Sequence, residues 1–381
     1  MAPTIAFDMS TATPVRTGIG TATFELAARL PFLSSDFDFL YVFHSFRQRL
    51  PRLPLLSRRR VRILRRRLPG PLLLQVWQRF DFPCAEMLAP HAELFHAPAM
   101  FIPPTHRMPL VATIHDLFFL DAPEQAEHLP WGDAYFQRSL PRRMPHVSRI
   151  IVPSRRTAEQ VRRHFGSLIP ELSQRLHVIP WGVASRFFLR KFPSDKQFLR
   201  QLGLDSSYLL TVGGSSRRKN FPALLAAHRL LRDEFTIDIP LVCIGAAPNH
   251  RGEAAGARSS VYCLPYLSRR ELGIVLRNAT VYVAAPHMEG FGMPILEAMA
   301  AGVPVVSSAN CGVFDFTGAE SAYVLAEPTP RALAAAVACL LSDDTLRAER
   351  VARARQAAAA LTWRRTVRET LGVYEEALKN Q

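Results

Sequence analysis

The sequence predicts an α/β protein of two domains in series, each with its own parallel sheet, and a ligand cleft between them. Three observations carry this. Short apolar strands alternate with helical stretches along the chain, as expected of a parallel sheet covered on both faces. The alternation restarts once, between residues 182 and 193. The chain also has 381 residues, more than one hydrophobic core usually serves.

In the first half, "TIAFDM" reads as a strand and "RTGIGTATFELAARL" as a glycine turn running into a helix. "FDFLYVF" reads as a second strand. "ELFHAP", "PLVATIHDL" and "RIIVPS" are short apolar strands that end in polar or proline-bearing loops. "TAEQVRRHF" is helical, and "LHVIPWGV" holds the last strand before the restart. In the second half, "YLLTVGG", "IPLVCIG", "VYCLPY", "VYVAAP" and "ESAYVL" are strands. Helices such as "NFPALLAAHRLL" and "SRRELGIVLRNA" lie between them. Three helical stretches close the chain.

Composition narrows the function classes. Apolar residues make up 48% and charged residues 21%, which fits a folded protein and not a disordered one. Lys plus Arg number 47 against 32 Asp plus Glu, a net charge of +15. This excess favours phosphorylated ligands, nucleic acid or an anionic membrane surface. Cys84, Cys243, Cys263, Cys311 and Cys339 are dispersed with no C-x-x-C pair, so neither disulfide stapling nor a thiolate metal site is expected. Cys243 and Cys339 sit in apolar runs and read as buried small hydrophobes. The start "MAPTIAFDMS" lacks a signal-peptide pattern, and no segment reaches 18 uncharged apolar residues. A cytoplasmic protein is therefore expected, with membrane-surface contact left open.

Two stretches stand out as chemistry. In "TVGGSSRRKNF", Gly213 ends a strand, and Arg217, Arg218 and Lys219 open a helix. Cations are unfavourable at a helix N-terminus unless an anion neutralises them. A diphosphate would do so; a solvated charge cluster is the other reading. In "HMEGFGMPILEAMAAGVPVV", Glu289 and Glu297 bracket Gly290, Phe291, Gly292, Met293 and Pro294. Pro294 suits the first helical turn and Gly302 the left-handed position after the last. The cap region offers no side-chain acceptor to the first amides, so a bound anion would suit it. Carboxylates repel a diphosphate. Glu289 and Glu297 are better suited to accept hydrogen bonds from hydroxyls at the two ends of a nucleotide-sugar. A plain glycine turn with surface glutamates is the alternative.

Weaker signals accompany these. Gly18 and Gly20 in "TGIG" let the backbone approach a ligand closely, but Thr23 stands where G-x-G-x-x-G needs its last glycine. His115 in "TIHDL" ends a strand, placed either for a sugar or phosphate contact or for satisfying loop amides. His106 and Asp121 are lesser candidates of the same kind. Seven arginines from Arg58 to Arg67, followed by leucines, read as an interfacial patch for anionic lipid or as a solvated segment. No H-E-x-x-H spacing marks a metal site.

Taken together, these motifs resemble the retaining glycosyltransferases of the GT-B fold, in the large family 4 group, mannosyl- and rhamnosyltransferase-like. The resemblance spans most of the chain apart from roughly residues 45 to 85, and rests chiefly on the R-K-N and E-x7-E motifs. It implies two Rossmann-like domains, 1–182 on the acceptor side and 183–363 binding the donor, with the helix from 364 to 381 packing back on the first. It implies that Gly18 and Gly20 approach the donor phosphates. His115 would touch the transferred sugar, Arg218 and Lys219 would neutralise the diphosphate, Glu289 and the Gly290–Gly292 amides would hold the sugar, and Glu297 would take the ribose. Ser154 would mark a site near the donor or the cleft.

Two positions depart from the family pattern. Gly214 stands where relatives often carry arginine, with Arg217 as a possible compensation, and Trp181 stands where asparagine is usual.

The implied activity transfers a hexose from a nucleotide-sugar, GDP-mannose or GDP-rhamnose first and a UDP-sugar second. No metal is required, and the acceptor is a glycan or polyprenyl-diphosphate-linked oligosaccharide. The protein would be peripheral to the cytoplasmic face of the inner membrane, with no nucleic-acid partner. A sugar-nucleotide epimerase of the same fold and a basic nucleic-acid-binding protein are the competing readings.

Overall fold

A computed structural model of the chain describes residues 2–13, 17–45, 49–51, 53, 60–123, 133–204, 207–213, 217–245 and 261–379. It divides into two compact units. One comprises Met1–Gly182 with Trp363–Gln381, and the other Val183–Thr362.

In the first unit, β1 (Thr4–Asp8), β2 (Asp38–His44), β3 (Val61–Arg66), β4 (Leu94–Ala97), β5 (Leu110–Thr113), β6 (Arg149–Val152) and β7 (Leu176–Val178) form one sheet in the order β3-β2-β1-β4-β5-β6-β7. Every pairing is parallel. β1, β4 and β5 are buried along their whole length, so they read as continuous apolar runs without alternation. One face packs Ala6, Leu40, Val42 and Phe95 against Leu73 and Trp77 of the helix Gly70–Arg79.

In the second unit, β8 (Leu209–Val212), β9 (Leu241–Ile244), β10 (Val261–Leu264), β11 (Val281–Ala284), β12 (Val305–Ser308) and β13 (Tyr323–Leu325) form a second parallel sheet, in the order β10-β9-β8-β11-β12-β13. The helices Phe221–Asp233 and Pro330–Ser342 cover one face with Leu224, Leu231, Leu333 and Val337. In both sheets the strand order reverses once, beside β1 and β4 in the first and beside β8 and β11 in the second. Ligands of such sheets bind at that reversal, beyond the carboxyl ends of the strands.

Several expectations need correction. The arginine run is not wholly a loose surface patch, because Val61–Arg66 forms a strand along β2. Val61 is buried and Leu64 packs on the core, which draws the segment into the sheet despite its charge. Arg58 and Arg59 lie outside the described residues. Ser154 is fully buried and caps the helix Arg155–Phe165, its hydroxyl accepting from the Thr157 amide at 3.1 Å, so its position has a structural cause. The C-terminal segment of the first unit opens at Trp363, whose ring stacks on Trp181 at 6.1 Å. Cys339 is half-buried, not buried.

Candidate active site

The site in the second unit begins at the end of β8. Gly213 has φ +122°, a conformation side-chain-bearing residues rarely adopt, and its amide donates to Ile244 O at 3.1 Å. A Cβ there would lie 2.9 Å from the Lys219 Cε. Gly213 thus holds a backbone conformation that a side chain would strain, and the Lys219 side chain passes close beside it. Gly214 to Ser216 lie outside the described residues. Arg217–Lys219 form a short turn of 3-10 helix, and the helix Phe221–Asp233 follows.

Across the reversal of strand order, the loop after β11 carries Glu289. Lys219 Nζ pairs with its Oε2, and Arg218 Nη1 lies 3.2 Å from the same oxygen. Burial opposes ionisation of Glu289, but the two cations outweigh it and pull its pKa down to about 2. The carboxylate is a fixed anion at neutral pH, and both cations are already oriented toward one point. Backbone bonds hold this loop rigidly. The His287 amide donates to Arg218 O at 3.0 Å, and Arg218 Nη1 reaches Met288 O at 3.4 Å. The segment Asn310–Val313 clamps the other side. Glu289 N donates to Asn310 O at 2.8 Å, Gly312 N to Glu289 O at 3.1 Å and Val313 N to Phe291 O at 2.7 Å.

Gly292, with φ +97°, is the N-cap of the helix Met293–Ala300, and no side chain caps it. Pro294 lies in the first turn. The amides of Ile295 and Leu296 close onto Gly292 O at 3.0 and 3.2 Å, so what this end offers an anion is its dipole and the amides before Ile295. Phe291 and Met293 are buried, which limits their part to the backbone. Gly302, φ +72°, ends the helix in a Schellman arrangement, with Gly302 N on Met299 O and Val303 N on Ala298 O, both at 3.1 Å.

Glu297 is 3% exposed and is gripped by Arg269 through both oxygens, the Nη1–Oε2 contact at 3.2 Å. The Arg269 guanidinium also lies 4.8 Å from the centre of the Phe187 ring. Glu297 is thus a buried, paired carboxylate and not a surface group. Tyr282 is buried within the electrostatic reach of both glutamates. Burial first, then the charges of Glu289 and Glu297, push its phenol well above its usual pKa.

The remaining predicted residues belong to the first unit. Gly18 is exposed at the start of the helix Gly18–Ala27. The Gly20 amide is taken by Thr17 Oγ1, the N-cap, at 3.3 Å. His115 is buried, its Nε2 donating to Pro98 O at 2.8 Å, and burial lowers its pKa so the ring is neutral at pH 7. Its ring lies 5.5 Å from that of Trp181. Trp181 therefore fills a space between His115 and Trp363, which accounts for a tryptophan where asparagine is usual. Asp121 is held by Gln160 and His164. The structure unites Gly213, Arg218, Lys219, Glu289 and Gly292 within one unit. Gly18, Gly20 and His115 belong to the other, and the side chain of Arg217 is outside what is described. Arg269 and Asn310–Val313 were not singled out from sequence; the only signal was Arg269 following the N-cap Ser268, where a cation is poorly placed. Among the described residues, no group of three or more His, Cys, Asp or Glu is arranged to hold a metal ion.

Known proteins match this arrangement. Residues 17–186 match the family Glycosyltransferase Family 4, and residues 195–357 match Glycosyl transferases group 1. The chain is a GT-B glycosyltransferase. The glycosyltransferase is 27% identical to the O-antigen chain mannosyltransferase B of Escherichia coli, over 94% of this chain and 96% of the relative. It is 27% identical to the MMP alpha-(1->4)-mannosyltransferase of Mycolicibacterium hassiacum, over 71% and 66%. Among solved structures, sucrose-phosphate synthase from Thermosynechococcus elongatus shares the fold with a TM-score of 0.77, 19% identity and full coverage of both chains. Anabaena HepE in complex with UDP-glucose gives 0.67, 16% identity and 98% of each chain.

Proposed function

We propose that this glycosyltransferase moves a hexose, mannose or rhamnose, from a GDP-sugar to a hydroxyl of a glycan or polyprenyl-diphosphate-linked oligosaccharide in envelope polysaccharide synthesis. The observation that carries the donor assignment is the convergence of Arg218 and Lys219 on Glu289 at the strand-order reversal. The diphosphate takes the positive charge of the two cations and lies against the N-terminus of the helix Met293–Ala300. Both cations meet Oε2 of Glu289, so Oε1 is the oxygen assigned to a sugar hydroxyl. Glu297, oriented by Arg269, takes the ribose, and His115 is assigned to the sugar. The amides near Gly290–Gly292 complete the donor site. The mannosyl donor is supported by the two mannosyltransferase relatives, each of which matches more than two thirds of this chain.

Chemistry follows from the charges. As the anomeric C–O bond to the diphosphate breaks, negative charge grows on the leaving oxygen, and Arg218 and Lys219 meet it without reorganisation. Glu289, with a pKa near 2, is too weak a base to take the acceptor proton. That proton passes to the leaving phosphate on the same face as attack, which retains configuration. A glycosidase-type pair would need two carboxylates flanking the anomeric bond; Glu289 and Glu297 are paired instead with cations. Two preset cations supply the charge a divalent metal would otherwise bring, so transfer proceeds in EDTA.

Peripheral attachment to the cytoplasmic face of a membrane is part of the same reading. Arg62 and Arg65 on β3 are exposed, and the same 60–87 segment exposes Ile63, Leu72, Phe80, Phe82 and Met87. No helix among the described residues is long and apolar enough to cross a membrane. The test is a screen of GDP- and UDP-sugars by thermal shift, followed by transfer assays on the best binder with and without EDTA. A GDP-mannose or GDP-rhamnose hit supports the proposal; stabilisation by UDP-sugars alone overturns the donor assignment, and epimerisation without transfer overturns the reaction class.

A further inference from the structure

Three polar side chains lie at the carboxyl ends of neighbouring strands in the first unit. Asp8 ends β1, His44 ends β2 and Arg66 ends β3. Asp8 pairs in register with Val42, and His44 with Arg66. Side chains alternate along a strand, so Asp8, Val42, His44 and Arg66 share one face of the sheet. Deeper on that face, Ala6, Leu40 and Val42 are apolar core. The polar group therefore starts where the apolar core stops.

His44 is 7% exposed, yet among the described residues neither ring nitrogen has a hydrogen-bond partner, and Arg66 Nε is buried and likewise unmatched. Unpaired buried polar atoms are costly, and native folds keep few of them. Ser10 braces the group. Its amide and hydroxyl donate to Asp8 Oδ1 at 2.8 and 2.5 Å, and its oxygen accepts from the His44 amide at 3.0 Å. Arg66 Nη2 reaches Met87 O at 3.3 Å. Burial lowers the His44 pKa, with Asp8 raising it and Arg66 lowering it, so the ring is neutral at pH 7. A neutral imidazole offers one donor and one acceptor, a carboxylate only acceptors and a guanidinium only donors. A pair of neighbouring hydroxyls, each able to donate and accept, matches all three. Phosphate would be repelled by Asp8.

We propose that Asp8, His44 and Arg66, braced by Ser10, form the acceptor subsite and bind vicinal hydroxyls of a hexopyranoside. The proposal rests on the transferase reading and adds the residues that recognise the acceptor. The test uses the full chain with methyl α-mannopyranoside and methyl α-glucopyranoside as probes. Histidine side-chain NMR, with the His44 signals assigned by their loss in His44→Leu, reads binding. Transfer from the donor found by screening reads function. At least one glycoside is expected to shift the His44 signals. His44→Leu and Asp8→Asn are expected to lower transfer to it on the order of tenfold, while GDP or UDP binding by calorimetry is unchanged. His44→Leu removes an unmatched polar group, so its melting temperature holds or rises; if it does not fold, His44→Gln takes its place. Unmoved His44 signals with both glycosides, or wild-type transfer in both variants, overturn the proposal and leave His44 as a hydrated core group. Failure of the donor reading is separate: nucleotide then does not bind the unaltered protein, and the NMR arm still decides the subsite.

Discussion

Lys219 reaches the Glu289 carboxylate across the reversal of strand order between β8 and β11, over a glycine with no side chain to obstruct it. The relationship ties three separated parts of the chain to one function. Gly213 makes room, Lys219 supplies charge, and Glu289 holds that charge in place before a ligand arrives.

The first prediction concerns the cation. Lys219→Ala is expected to lower kcat about 10²-fold or more, the typical effect of removing one preorganised group that stabilises developing charge. Arg218 stays beside Glu289, so the fold survives. Steady-state kinetics beside a thermal melt separate the two effects.

Gly213→Ala tests the steric argument. The new methyl would meet Lys219 Cε at 2.9 Å on a backbone at φ +122°. Strain of this kind costs on the order of 1–3 kcal/mol. Thermal unfolding is expected to fall accordingly, and nucleotide affinity to weaken with it. A variant that binds nucleotide normally would show that Lys219 does not need this path.

Much of this site was legible from sequence because its devices are local. Gly292, Pro294 and Gly302 announce the helix through backbone rules that act within a few residues, and the structure has each in its expected place. Clustered cations before the helix at Phe221 raised the question of their counter-charge. Its present partner, Glu289, lies 70 residues away, and no local pattern could pair them. Arg269 was missed for the same reason, since its partner Glu297 is 28 residues on. The strand Val61–Arg66 was hidden by its arginines, because as the last strand in the sheet order it can leave charged side chains in water. Ser154 caps a helix and Trp181 stacks on Trp363, packing roles that their local sequence does not announce.

Arg269 yields a third prediction. Arg269→Ala leaves Glu297 buried without its bidentate partner, and is expected to raise the donor KM roughly tenfold with a smaller change in kcat. Arg269→Lys restores little, because an ammonium cannot reproduce the two-pronged grip. Equal losses in kcat and kcat/KM would instead place Arg269 in the chemical step.

Acid stability offers a fourth. Glu289 has a folded pKa of about 2 against a usual 4.5. Its contribution to stability is present above pH 4.5 and is lost as pH falls toward 2, because the unfolded chain takes up the proton first. The difference in unfolding free energy between the wild type and Glu289→Gln is therefore expected to shrink across that window. Urea melts at stepped pH read it, and a difference independent of pH would refute the ion-pair account.

The most direct measurement is calorimetric titration of the screened nucleotide-sugar into wild-type protein and Lys219→Ala. The Arg218–Lys219–Glu289 arrangement predicts a single binding event in the wild type, weakened about tenfold or more in the variant, as loss of a charge-assisted contact to a diphosphate requires. Equal affinity in both proteins would contradict the assignment of this cluster as the donor diphosphate site.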